Sequence, residues 1–329
     1  MRNLKDILES IFDIDDNIDD MDEIVRSQIE QFLEENYIGD FTISKDTNEN
    51  GKYVVSCGWN IEVKNHKLTS LTNNLFVWGS VNGDFDCSYC SSLTSLEGAP
   101  EKVNKSFSCH DCDSLKSLEG APKEVSENFY CIDCKSLQSL EGAPEKVGRN
   151  FSCWGCDSLI SLKGAPKETS KFNCSHCESL KSLKGAPQKV KYFFCNHCES
   201  LISLEGAPEK VDSNFNCSRC PSLKSLKGAP KKTGDFECEG CDSLKTLEGA
   251  PREVDGHFIC GDCKSLISLK GAPKNVGRDF KCSWCRSLES LEGAPKTVHN
   301  DFICFTCGQY FSEEDVKLVS NIKGKIINQ

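Results

Sequence analysis

Phe107-Ser108-Cys109-His110-Asp111-Cys112-Asp113-Ser114-Leu115-Lys116-Ser117-Leu118-Glu119-Gly120-Ala121-Pro122-Lys123-Glu124-Val125 decides the architecture, because the same pattern returns along most of the chain. Phe85, Phe107, Phe129, Phe151, Phe172, Phe193, Phe215, Phe236, Phe258, Phe280 and Phe302 each open Phe-x-Cys-x-x-Cys, with successive copies 21 or 22 residues apart. Ten Gly-Ala-Pro turns separate the eleven copies, and a Val or Thr follows three residues after each proline. A period this short holds one coil of a solenoid, since a helix pair or a propeller blade needs about 34 residues or more.

Within a coil, alternation places Phe107 and Cys109 on one side of a short strand and Ser108 on the other. Cys112, Leu115, Leu118 and Val103 are expected to fill the same interior. Gly120 and Pro122 reverse the chain, glycine through its freedom in φ and proline through a fixed φ and a missing donor. The expected coil is therefore one strand, a corner and an extended return. A single coil cannot stand alone. Five or six buried apolar side chains give about 1.5–3 kcal/mol each, against about 1–2 kcal/mol per residue for fixing the backbone. Stacking makes up the difference: strands pair at about 4.8 Å, so the array predicts a parallel ladder roughly 50 Å long with a cap at each end.

Three segments follow. Residues 1–52 read as an acidic helical leader, with Leu4, Ile7, Leu8, Ile11 and then Ile24, Ile29, Phe32, Leu33 at helical spacing. Residues 53–311 are the array, with Ile61, Val63 and His66 of a degenerate first coil assigned to the Phe, Cys and Cys positions. Residues 312–329 read as a C-terminal cap in which Ser312-Glu313-Glu314-Asp315 starts a helix carrying Val316, Leu318 and Val319. Charge divides the chain in the same way. Residues 1–40 hold three basic and thirteen acidic side chains, whereas the whole chain is -11.

The pattern Phe107-x-Cys109-x-x-Cys112-x-x-Leu115-x-x-Leu118 resembles the leucine-rich repeat, over about residues 53–311. Phe and the first Cys stand at the two strand leucines, and the second Cys stands where that family usually has Asn. The resemblance implies a repeat solenoid with a parallel β-sheet on one face, extended or turn segments on the other, and use as a recognition surface. Short coils leave no room for the convex helix of longer members. Near-identical arrays with Leu-Glu-Gly-Ala-Pro turns are similar to those of bacteriophages and gut bacteria. Met1-Arg2-Asn3-Leu4-Lys5-Asp6-Ile7-Leu8-Glu9-Ser10-Ile11 resembles the leaders that direct some bacteriophage internal proteins into the prohead.

Twenty-two of the 23 cysteines lie in Cys-x-x-Cys pairs. A structural zinc module is the sharpest alternative, because two such pairs can supply four thiolates at about 2.3 Å. A uniform ladder gives no reason to group coils two by two, however, and the remaining apolar positions already make a continuous core. The cysteines are therefore expected to be free, buried and metal-free, with no cofactor. No phosphate-binding loop, dinucleotide fingerprint, nucleophile elbow or His-Glu-x-x-His helix occurs, so no enzymatic activity is expected.

Function is expected where the copies differ. The outward strand residue varies through Tyr130 and Phe194, and the residues between the cysteines vary as well. Tyr89, His110, Tyr130, Ile132, Trp154, His176, Tyr192, Phe194, His197, Arg219, Trp284 and Phe305 are the expected partner-binding strip, exposed on the open face of the sheet. Aromatic and Arg side chains dominate protein interfaces. The sequence reading is a non-enzymatic, phage-encoded interaction scaffold in the cytoplasm of a bacterial host. It binds a protein partner and neither nucleic acid nor membrane. The runner-up is a packaged or structural protein of the virion. Lys123, Lys167, Lys189 and Lys231 mix with glutamates on the return and read as a solvated face.

Overall fold

The computed structural model describes residues 18–328. Its architecture is a repeat β-solenoid whose coils pair through parallel strands. Each Phe pairs in parallel with the equivalent Phe of the next coil, from Phe85↔Phe107 to Phe280↔Phe302. Every Phe of this column is fully buried, and neighbouring rings lie 5.1 to 5.5 Å apart. The cysteines and leucines assigned to the interior are there: Cys109, Cys112, Leu115 and Leu118 have no exposed surface. We number coils 1 to 11 from Phe85 to Phe302.

The expected single strand per coil is corrected to two. Val103, Val125 and their equivalents pair in register as a second parallel column, from Cys57↔Val81 to Val298↔Ile322. The return stretch carries a buried residue at the same place in every copy, so its backbone groups find partners in the neighbouring return. The two columns merge in Lys210–Asn216 and Lys232–Glu237, which run through both. Cys57, the unpaired cysteine of the sequence, stands at a valine position of the second column. At the turn, Gly120 has a φ of +86°, and a Cβ there would meet the backbone nitrogen of Glu97 at 2.2 Å. Only glycine fits.

The first edge is closed. Tyr37–Ile38 runs antiparallel to Ile61–Val63, and Phe41–Thr47 runs antiparallel to Tyr53–Cys57, so both columns begin under a covering strand. The helix Ile18–Asn36 lays Ile29 and Leu33 on the end of the core, while Ile24, assigned to its apolar face, points to solvent. The leader positions Leu4, Ile7, Leu8 and Ile11 lie outside the described residues. At this end the ring stack turns into edge-on contacts, Tyr37–Trp78 at 5.2 Å and Trp78–Phe85 at 5.6 Å. The Tyr37 hydroxyl and Trp78 Nε1 both donate to the Leu71 carbonyl, at 2.8 and 3.0 Å. Each ring's polar atom is thereby satisfied in the core.

Two further assignments are corrected. His66 is exposed and does not take the second-cysteine position; Asn65 does. The Leu68 amide donates to the Asn65 carbonyl, as the Leu93 amide donates to that of Cys90. One residue is missing from this corner relative to later coils. At the other end, the helix Glu313–Val319 forms with a reciprocal Ser312/Asp315 capping box, but only Val316 is buried, and Leu318 is 83% exposed. It does not close the rod. The chain passes through it and returns as Asn321–Ile322 and Ile326–Ile327, adding one more strand to each column.

Candidate interaction surface

The corner between the two cysteines of each coil has one conformation throughout. Its second residue is left-handed in all eleven coils, with φ between 52° and 70°. Coils 4 and 8 place Gly155 and Gly240 there, and coils 2, 3 and 9 place Asp111, Asp133 and Asp262. Glycine avoids the steric cost of this region, and Asp tolerates it. Coils 1, 5, 6, 7 and 10 instead hold Tyr89, His176, His197, Arg219 and Trp284 in it. His, like Asp, is enriched in this region, whereas Tyr89, Arg219 and Trp284, with Thr306 of coil 11, are real outliers costing about 1–2 kcal/mol each.

The second cysteine closes the corner by reaching back one coil. Cys112 Sγ donates to the Cys87 carbonyl at 3.3 Å, and the same bond recurs from Cys134 to Cys109, Cys156 to Cys131 and onward to Cys307 with Cys282. A weak S–H donor thus performs between coils the backbone-satisfying task expected of Asn. Burial pushes the Cys90 thiol up to about 11 and carries Cys87 and Cys174 well above the ordinary range. All 23 cysteines are free. Among the described residues, no group of three or more His, Cys, Asp or Glu side chains is placed to hold a metal ion.

The full exposure expected for the aromatics of the strip is corrected. Tyr89, Tyr192, Arg219 and Trp284 are exposed; His110, Tyr130, Ile132, Trp154, His176, Phe194, His197 and Phe305 are half-buried. The cause is contact between coils. In the middle of the rod Trp154 meets His176 at 4.8 Å, and His176 stacks on His197 at 4.3 Å with 13° between the planes. Arg219 follows in the next coil, and His176, His197 and Arg219 line a recess of about 240 Å³ with Glu178, Glu199, Pro221 and Gly240. Burial, His176 and the Arg219 charge hold the His197 imidazole below its ordinary pKa. On the adjoining strand Lys171 sits over the Phe194 ring at 4.9 Å, with Tyr192 beside it.

Other members of the strip stand apart. Tyr89 is near His66, His110 meets Tyr130, and Trp284 meets Phe305 at 5.8 Å. Trp154, His176, His197 and Arg219 thus follow one another along consecutive corners, with Tyr192 and Phe194 on the strand of coil 6; these six are the central patch, apart from the Tyr89, His110–Tyr130 and Trp284–Phe305 groups. Sequence reasoning overlooked the exposed Ile160, Ile202 and Ile267 on the following side of the coil. Their signal was isoleucine at a column otherwise mostly Lys, Gln, Thr or Glu. The return face is an ion-pair ladder: Lys123 meets Glu101 at 2.6 Å, Lys167 meets Glu145 at 2.7 Å and Lys231 meets Glu209 at 2.8 Å. Such exposed pairs stabilise little. Among the described residues, no helix is long and apolar enough to cross a membrane.

No protein-family model matches this chain, and no curated protein matches it. Among solved structures it is similar to a leucine-rich repeat protein from Bacteroides ovatus ATCC 8483, at 16% identity and a TM-score of 0.34, over 87% of this chain and 98% of that one.

Proposed function

We propose that the protein is a non-enzymatic scaffold that binds a protein partner through the strand-and-corner face, chiefly at the central patch of Trp154, His176, Tyr192, Phe194, His197 and Arg219. One observation carries this reading. Coils 1, 7 and 10 keep Tyr89, Arg219 and Trp284 in a left-handed corner that five other coils fill with Gly or Asp. The fold does not require those side chains, and each costs conformational energy, so a role in contact accounts for their retention. They are also of the kind that dominates interfaces: Trp, Tyr and Arg. A phage-encoded protein working in the cytoplasm of a bacterial host fits the form of the array.

The test is capture from bacterial lysate under reducing conditions, comparing the intact chain with a Trp154→Ser/Phe194→Ser double variant. The variant is expected to lose its partner while keeping its circular dichroism spectrum. Equal capture by both proteins would sink the proposal.

A further inference from the structure

The four outward columns of the partner face are the residue before each Phe, the residue after it and the two between the cysteines. In coils 4 to 7 these columns contain no carboxylate at all: Asn, Ser and Gly surround the aromatic patch together with Lys171 and Arg219. In each of the other seven coils at least one carboxylate is present, among them Asp86, Asp111, Asp133, Glu237, Asp262 and Asp279. The window falls in a chain of net charge -11. It also coincides with the row of Trp154, His176 and His197.

The other lysine of these columns, Lys281 of coil 10, pairs with Asp279 at 3.4 Å. Among the described residues neither Lys171 nor Arg219 has an ion-pair partner; Lys171 lies over the Phe194 ring. Glu178 and Glu199 lie beyond the second cysteines and border the recess, and the Glu237 carboxylate of coil 8 accepts from Asn214 and Asn216 at 2.7 and 2.6 Å. These carboxylates mark the edges of the window.

We infer that coils 4 to 7 receive an acidic protein segment, its carboxylates on Lys171 and Arg219 and its apolar or aromatic side chains against Trp154, Tyr192 and Phe194. Complementary charge sets partner choice and encounter rate, and the rings supply the buried contact. This deepens the scaffold reading and rests on it.

The probe is a fluorescein-labelled peptide alternating glutamate and tyrosine, titrated by fluorescence anisotropy against the full chain. A lysine–tyrosine peptide and oligothymidylate serve as comparisons. The acidic peptide is expected to bind, the lysine peptide not to bind, and Lys171→Glu/Arg219→Glu to weaken binding about tenfold or more. Absence of acidic-peptide binding, equal binding of the lysine peptide, or full affinity in the charge-reversed variant overturns the inference. Tighter binding of oligothymidylate than of the peptide also overturns it, in favour of a nucleic-acid ligand. The lysate capture separates the two proposals. If Trp154→Ser/Phe194→Ser loses the partner and Lys171→Glu/Arg219→Glu keeps it, the surface stands and the acidic partner falls. If neither variant loses it, both fall.

Discussion

Cys134 Sγ donates to the main-chain carbonyl of Cys109, 3.1 Å away and 25 residues earlier in the chain. This bond ties one coil's corner to the strand end of the coil before it, inside a core with no water to replace it. Cys134→Ala removes the donor, worth about 0.5–1 kcal/mol, and opens a small void. A loss of about 1–3 kcal/mol is expected in urea unfolding. No loss would mean that the sulfur merely fills space.

Thiol chemistry should single out the end of the cysteine column. Most core thiols are buried and titrate far above the ordinary range, so they carry almost no thiolate near neutral pH. Cys307 is half-buried, and a hydrogen bond from the Cys282 side chain holds its pKa below the ordinary value. Brief N-ethylmaleimide treatment of the native protein is expected to label Cys307 first, as read by peptide mass spectrometry. Equal labelling of Cys153 would contradict the sealed core.

Relief of corner strain should raise stability where it lowers binding. Arg219 is exposed and left-handed, with a φ of 56°. Asn is several-fold enriched in that region, so Arg219→Asn is expected to add about 0.5–1 kcal/mol to stability while partner capture declines. A variant that loses stability as well as capture would show that Arg219 is retained for the fold.

Stability should also fall at mildly acid pH through the stacked imidazoles. His197 has a folded pKa below its ordinary 6.5, through burial and the nearby His176 and Arg219. The folded state therefore takes up this proton less readily than the unfolded chain. The contribution is fully present well above pH 6.5 and is lost as pH falls from the unfolded value through the folded one. Melting temperatures followed from pH 8 to about pH 5 should drop more steeply for the native protein than for His197→Gln. Parallel curves would remove His197 as the cause.

The chain alone determined which side chains face inward. Phe, the two Cys, the two Leu and the Val recur at constant offsets, and only a stacked coil gives every copy the same interior. It also determined the turn at Gly120, because no other residue suits a reversal repeated ten times at Gly-Ala-Pro. Tertiary structure decided what depends on the neighbouring coil. Val103 and Val125 became a second strand column only because adjacent returns lie in register. Asn65 displaced His66 because its amide and side chain donate to Asn36 at the end of the covering helix. The terminal segment became another coil because Ile326 found the open edge beside Phe302. The partner face divides along the same line: its residues were legible as variable positions, but their alignment along consecutive corners needed the stack. Inward placement follows from alternation along a single chain, whereas strand pairing, corner conformation and the company each side chain keeps are set by hydrogen bonds and contacts to residues about 22 positions away.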